Sequence, residues 1–295
     1  MQLLGYLLIY PLIYLISRLP FRLLYILSDG VYILLYRIIG YRKKVVRENI
    51  KLALPELSDQ ERLQIEKDSY RHLCDMFLEM TKTMSMSQAE MEKRFQFTNL
   101  EVHHRLEKQG KSIALMCAHY GSYEWVISMN RQINYQGVAI YKKINNKYFD
   151  DLVKRIRGEF KAILVNNRDA VEYITVNELN NHHCIYGFAS DQSPQLKKKT
   201  YWDTFMGIEV PVFTGAEYLS KKFDMSVVYL HVEKVKRGHY QATIEVLSEN
   251  PREIPDYQIT RMFLDRVEAQ IRKAPQYYMW THKRFKHMGM KNSIK

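Results

Sequence analysis

The sequence predicts an α/β fold: a mostly parallel sheet flanked by helices, preceded by a hydrophobic N-terminal helical anchor. Three observations carry this. From about residue 111, short apolar runs alternate with helix-length amphipathic segments, the pattern of strand–helix–strand units. Only the last two apolar runs, separated by "KRGH", are close enough to form a hairpin. The first forty residues are apolar apart from a few scattered charges.

The chain opens "MQLLGYLLIYPLIYLISRLPFRLLYILSDGVYILLYRIIGYRKK". Residues 3–16 are uncharged and contain Pro11, a run shorter than the roughly 20 apolar residues that span a bilayer upright. A basic n-region and a small-residue cleavage site are both lacking, so a signal peptide fits poorly. Arg18, Arg22, Arg37, Arg42, Lys43 and Lys44 follow the apolar run and would hold the downstream chain on the cytoplasmic side. Tyr25, Tyr32 and Tyr36 suit an interfacial helix with rings at headgroup depth. The competing reading is a helix hairpin buried against the domain. Membrane attachment is the expectation, with residues 1–40 as anchor, 41–110 as a helical lead-in and 111–295 as the α/β core.

Ser58 and Glu61 have capping-box spacing, Pro55 stops what precedes them, and a long helix with Leu63, Tyr70, Leu73, Phe77 and Met80 on one face follows. Strands are expected at 112–118, 137–141, 162–165, 184–190, 226–235 and 240–247. Helices are expected near 122–132, 147–159, 169–179, 214–223 and 257–273, the last ending before Pro275. The hairpin of the last two strands is expected at a sheet edge.

At 295 residues the chain buries a sizeable core without staples. Its formal net charge of +12 implies acidic partners: nucleic acid, anionic headgroups, phosphorylated substrates or an acidic carrier protein. The basic residues are spread along the chain and a hydrophobic leader serves no nucleic-acid function, which argues against that class. Cys74, Cys117 and Cys184 are isolated, with neither disulfide nor metal spacing. Adjacent His182, His183 and Cys184 lack a second spaced pair, a poor zinc pattern. No metal or cofactor is implied.

The stretch "CAHYGSYEW" (117–125) is the candidate site. The strand before it delivers His119 to its carboxyl end, where ligands collect in such sheets. Gly121 lets the backbone turn, and Ser122 is placed to cap the next helix, with Glu124 in its first turn. On one continuous helix, positions five apart lie about 140° apart, so His119 and Glu124 meet only if His119 precedes the helix. Spacing alone leaves a His–Glu catalytic pair and a structural histidine equally open.

A hydrophobic strand, then His, four residues and an acid resembles the signature of the glycerolipid acyltransferase superfamily. The chain is more specifically similar to its lipid A late (secondary) acyltransferases. The supporting stretches fall in family order: "RKKVVRENIKLALPELSDQER", "AIYKKINNKYFDDLVKRIRGEF", "FASDQSP", "VPVFTGAEYLSKKFDMSVV" and "APQYYMWTHKRFK". Lys142 and Lys143 stand where the family usually has Arg-Pro, and "QSPQLKKKTYW" is more basic than the usual turn.

The resemblance implies a membrane-bound O-acyltransferase on the cytoplasmic face of a bacterial inner membrane. It would transfer an acyl chain from acyl-acyl carrier protein to a hydroxyl of a lipid A precursor. A lysophospholipid, aminoacyl lipid or glycolipid acceptor is the alternative, and a non-catalytic lipid-binding protein of the same fold the second alternative. His119 would be the base and Glu124 its orienting carboxylate. Gly121 and Ser122 amides with Arg157, or else Arg155, would hold the oxyanion. Asn145, Asn146 and Asp150 would shape the loop before Arg155. Asp191 and Gln192, at a strand end, would face the crevice. Lys142, Lys197, Lys198, Lys199, His282 and Arg284 would contact anionic substrate, with Lys283 and Lys286 beside them and Trp280 at the boundary. Cys117 reads as a buried strand residue, not a nucleophile.

Overall fold

A computed structural model describes residues 2–291. The leader forms α1 (Gln2–Arg18) and α2 (Phe21–Tyr32), separated by the corner at Leu19–Pro20, and α2 continues as a π-helical segment, Ile33–Ile39. Gly40, in the left-handed region, ends it. α3 (Lys43–Ala53) and the long α4 (Asp59–Lys82) follow. The expected capping box begins α4: Ser58 N–H donates to Glu61 Oε2 at 2.7 Å, and Glu61 N–H to Ser58 Oγ at 3.3 Å.

α5 (Gln88–Arg94), β1 (Phe95–Phe97) and α6 (Leu100–Glu107) lead into the core. There β2 (Ile113–Cys117), a 3₁₀ helix (Tyr123–Arg131), β3 (Gln136–Tyr141), α7 (Lys147–Gly158), β4 (Ile163–Asn166), α8 (Ala170–Leu179) and β5 (Cys184–Ala189) succeed one another. A small hairpin, β6 (Trp202–Phe205) and β7 (Ile208–Pro211), precedes α9 (Gly215–Phe223), β8 (Ser226–Lys236), β9 (His239–Ser248) and α10 (Gln258–Lys273).

Seven strands form one sheet in the order β1-β9-β8-β2-β5-β3-β4, parallel throughout except for the β8–β9 pair. All six expected strands are present within two residues of their expected bounds. The hairpin does not end the sheet, however, because the three-residue β1 pairs with β9 and takes the edge. A strand that short carries too little periodicity to be read from sequence. The strands alternate between two cores: Ala114 and Met116 join one, Ile113 and Leu115 the other.

The leader is packed, not free. Tyr25 Oη donates to Glu79 and Ser28 Oγ to Asp75, both on α4, at 2.9 and 2.7 Å. Buried Lys82 donates from Nζ to the carbonyls of Ser17 (2.6 Å) and Leu19 (2.9 Å), satisfying orphan acceptors where α1 ends. The outer side remains apolar and exposed, with Leu8, Leu12, Leu15, Ile26 and Ile38 at 58–73% exposure. Among the described residues, no single helix is long and apolar enough to cross a membrane, although the bent pair Phe21–Ile39 and Lys43–Ala53 together reach that length.

Lys82→Met removes the ammonium from both carbonyls, leaving Ser17 O only the Ser85 hydroxyl. The expected destabilisation is about 1–3 kcal/mol in a denaturant melt, with a Lys82→Arg variant recovering part of it.

Candidate functional site

Strand β2 ends at Cys117, and the chain turns sharply: Tyr120 N–H returns to Ala118 O at 2.8 Å. Gly121 has φ +57°, and a Cβ there would lie 3.1 Å from Val232 Cγ1, so both conformation and space favour glycine. A C-terminal segment straps this turn. Tyr277 O accepts from Gly121 N–H (3.0 Å), His119 O accepts from Met279 N–H (3.1 Å), and Tyr120 bridges Tyr278. From the other side buried His72 donates from Nε2 to Gly121 O at 3.3 Å, while its Nδ1 faces Lys234 Nζ at 3.3 Å. An ammonium is only a donor, so this contact assigns the proton to Nε2. The following 3₁₀ helix is anchored by fully buried Trp125, edge-on to Tyr240 with centroids 5.8 Å apart.

Strand register builds the centre. Cys117 of β2 is the partner of Ala189 of β5, and two residues beyond each lie His119 and Asp191. His119 Nδ1 donates to Asp191 Oδ1 at 2.7 Å, and the His119 amide donates to the same oxygen at 3.1 Å. Asp191 is fully buried. Burial opposes its charge, but the paired imidazole and the His119 amide hold the carboxyl below its ordinary range. Burial likewise opposes the imidazolium, yet the Asp191 carboxylate, reinforced by the charge of Glu124, raises His119 above its usual value. A histidine so held has one ring nitrogen fixed by a carboxylate and leaves Nε2 for proton exchange, with Tyr123 edge-on at 4.9 Å.

This corrects the expected His119–Glu124 hydrogen bond. Glu124 instead accepts from Arg157 Nη2 at 2.7 and 2.8 Å and from Nε at 3.2 Å. The planar guanidinium of α7 offers the carboxylate a forked, charged partner, which an imidazole already bonded to Asp191 does not match. Arg157 is therefore tied to Glu124 and is not a free oxyanion cation. Arg155 points elsewhere, donating to Tyr6 Oη of α1 at 2.9 Å.

Other expected positions divide similarly. The Gly121 amide is taken by Tyr277 O, and Ser122, though buried, makes no capping bond. Asn146 caps α7, accepting from the amides of Tyr148 and Phe149. Asp150 is buried and accepts from the Ile144 amide (2.9 Å), Tyr141 Oη (3.2 Å) and Lys154 (2.9 Å), stapling that loop. Gln192 reaches only Met279 Sδ, at 3.9 Å. Lys142, Lys198 and Lys199 are exposed. Trp280 is buried, not at a boundary, with its indole N–H on Pro275 O.

One further assignment is overturned. Arg284 is buried against the Phe205 ring and donates to Pro211 O at 3.2 Å, so it offers no surface charge. Its Nε and Nη2 lack partners, as does Asp191 Oδ2. His282 accepts from Ser193 N–H at 3.2 Å, and burial pushes it down to about 4, so it is neutral at physiological pH. Cys117 is raised to about 12 by burial and the nearby carboxylates, which leaves the thiol inert. Among the described residues, no group of three His, Cys, Asp or Glu side chains converges as a metal site.

The family model described as bacterial lipid A biosynthesis acyltransferase matches residues 2–287. Similar proteins include an Escherichia coli lipid A biosynthesis lauroyltransferase, 22% identical over 277 residues, covering 93% of this chain and 89% of the relative. An E. coli lipid A biosynthesis palmitoleoyltransferase is 21% identical over 276 residues (91% and 87% of the two chains). A Haemophilus influenzae lipid A biosynthesis acyltransferase is 23% identical over 249 residues (83% and 78%).

Asp191→Asn removes the charge that raises His119. The imidazole pKa is expected to fall, read as an acid-ward shift of the His119 ring-proton titration in NMR. An unchanged titration would show that Asp191 does not set it.

Proposed function

The chain belongs to the bacterial lipid A biosynthesis acyltransferase family and is an acyltransferase, and we propose that it transfers a fatty acyl chain from an acyl thioester to a hydroxyl of a lipid A precursor. The observation that carries this reading is the pairing of half-buried His119 with buried Asp191 at adjoining carboxyl ends of parallel strands.

His119 Nε2 takes the proton of the acceptor hydroxyl as its oxygen attacks the thioester carbonyl. A C–O bond forms and the carbonyl becomes a tetrahedral oxyanion. Collapse breaks the C–S bond, and the imidazolium returns its proton to the leaving thiolate. No covalent enzyme intermediate is needed. Asp191 orients the ring and stabilises the imidazolium, the part first assigned to Glu124. Glu124 contributes by charge at longer range, held in place by Arg157.

For the oxyanion we favour the Ser122 amide at the start of the 3₁₀ helix. In a trans peptide the Gly121 carbonyl and the Ser122 N–H point in opposite directions. His72, by holding that carbonyl, fixes the direction of the amide.

The +12 chain suits an acidic acyl carrier protein as donor and a phosphorylated lipid as acceptor. Exposed Lys142, Lys198 and Lys199 supply point charges for such phosphates. The exposed apolar sides of α1 and α2, followed by basic residues, suit a protein lying in the cytoplasmic surface of the inner membrane.

Mass spectrometry of a lipid A precursor incubated with the purified protein and acyl-acyl carrier protein is expected to show one added acyl chain. His119→Ala should lower the rate by about 10²–10⁴. Because a neutral base is required, kcat/KM should fall as pH drops through the raised His119 pKa. Equal rates for wild type and the alanine variant would remove His119 from the chemistry. Acylation of a lysophospholipid in place of the lipid A precursor would change the acceptor.

A further inference from the structure

The peptide joining Gly121 to Ser122 carries the amide assigned above to the oxyanion, and the turn itself does not fix its direction. A glycine tolerates either orientation of the peptide that follows it. Tyr277 O holds the Gly121 N–H, which belongs to the preceding peptide. The hold on the following one comes from outside the turn, from His72 Nε2 on the Gly121 carbonyl at 3.3 Å. Only one neutral form of His72 gives that bond. The other carries its proton on Nδ1 and turns a lone pair toward the carbonyl.

Lys234 stands where that choice is made. It faces inward from β8, two residues after buried Val232, and its side chain is only 8% exposed. Its Nζ lies 3.3 Å from His72 Nδ1 and 3.6 Å from Asp75 Oδ2, beside the rings of Tyr277 (5.3 Å) and Tyr240 (5.9 Å). Asp75 takes its hydrogen bonds from Ser28 and Arg237, at 2.7–3.1 Å. The carboxylate thus offers the ammonium a balancing charge, and His72 offers it a lone pair. A proton on Nδ1 would face the ammonium directly, as would the second proton of an imidazolium. Burial and the Lys234 charge accordingly push His72 well below its usual value.

We propose that Lys234 is a positioning residue for acyl transfer: by donating to Nδ1 it keeps the His72 proton on Nε2, and so keeps the Ser122 amide aimed at the oxyanion. The inference rests on the acyl-transfer reading given above. It gives the β8–β9 hairpin a part in the chemistry, although Lys234 touches no reacting atom.

The test reads the His72 ring nitrogens by 15N NMR in the full-length protein in detergent micelles, with the His72→Gln spectrum assigning the signals. Transfer from acyl-acyl carrier protein to a lipid A precursor is measured alongside. Wild type is expected to show a protonated Nε2 and a bare Nδ1. Lys234→Met should bring in the Nδ1-protonated form and lower kcat at least about tenfold with KM unchanged, where outright loss of an oxyanion donor costs about 10²–10³. In His72→Gln the side-chain amide donates to Gly121 O with no tautomer to choose, so adding Lys234→Met there should lower kcat less than about twofold further. Lys234→Arg keeps a charged donor and should keep the wild-type ring state. A wild-type His72 protonated on Nδ1, or on both nitrogens, overturns the proposal whether or not the variants fold. So does an equal loss of kcat from Lys234→Met in the wild-type and His72→Gln backgrounds. A wild type with the expected ring state, dependent on Lys234, that transfers no acyl chain upholds the hold on His72 and removes the proposed reaction instead.

Discussion

The register between β2 and β5 is the constraint on which the candidate centre depends. Parallel pairing of Cys117 with Ala189 places the residues two steps beyond, His119 and Asp191, side by side at the mouth of the sheet. Side chains alternate along a strand, so a one-residue slip would turn one of the two to the opposite face. The register is fixed by what both strands bury. Ile113, Leu115 and Ile185 face one core, while Ala114, Met116, Tyr186 and Phe188 face the other. The packing of the interior and the alignment of the imidazole with its carboxylate are thus one requirement.

Around that alignment the protein sets charges out of water and answers each with a partner of the right shape. Asp191 receives both the ring and the amide of His119, and Glu124 receives the fork of Arg157. Desolvated ions without partners are costly, and loss of either member would leave the other stranded. Arg284 departs from this rule, with two unpartnered guanidinium nitrogens near an unpartnered oxygen of Asp191. Burial opposes its charge, and the Asp191 carboxylate supports it.

Much of this was legible in the sequence because it is local. Strand bounds, the Ser58–Glu61 capping box and the α7 span follow from periodicity and end signals within a few residues. The position of Asp191 at a strand end was legible too, since "CIYGFAS" stops just before it. What spacing obscured was pairing. His119 and Glu124 are near in sequence and so look like partners, whereas the actual bonds reach from 119 to 191 and from 124 to 157. Those distances are set by strand order and by the docking of α7, which no local pattern encodes. For the same reason "THKRFKH" reads as a contact for an anionic lipid or carrier although Arg284 is buried and His282 half-buried. The leader shows the opposite error of emphasis: its hydrophobicity reads as a membrane anchor, and hides the polar bonds by which Tyr25 and Ser28 fasten it to α4.

The strap formed by Tyr277, Tyr278 and Met279 gives the molecule an order in time. These residues hold the turn that carries His119, yet they are made more than a hundred and fifty residues after it. On the ribosome the leader and the first strands emerge while that turn still lacks its clasp. The leader is thus available to find its surface before the centre is assembled. The backbone contacts that hold this turn are therefore complete only once the distant segment has folded back.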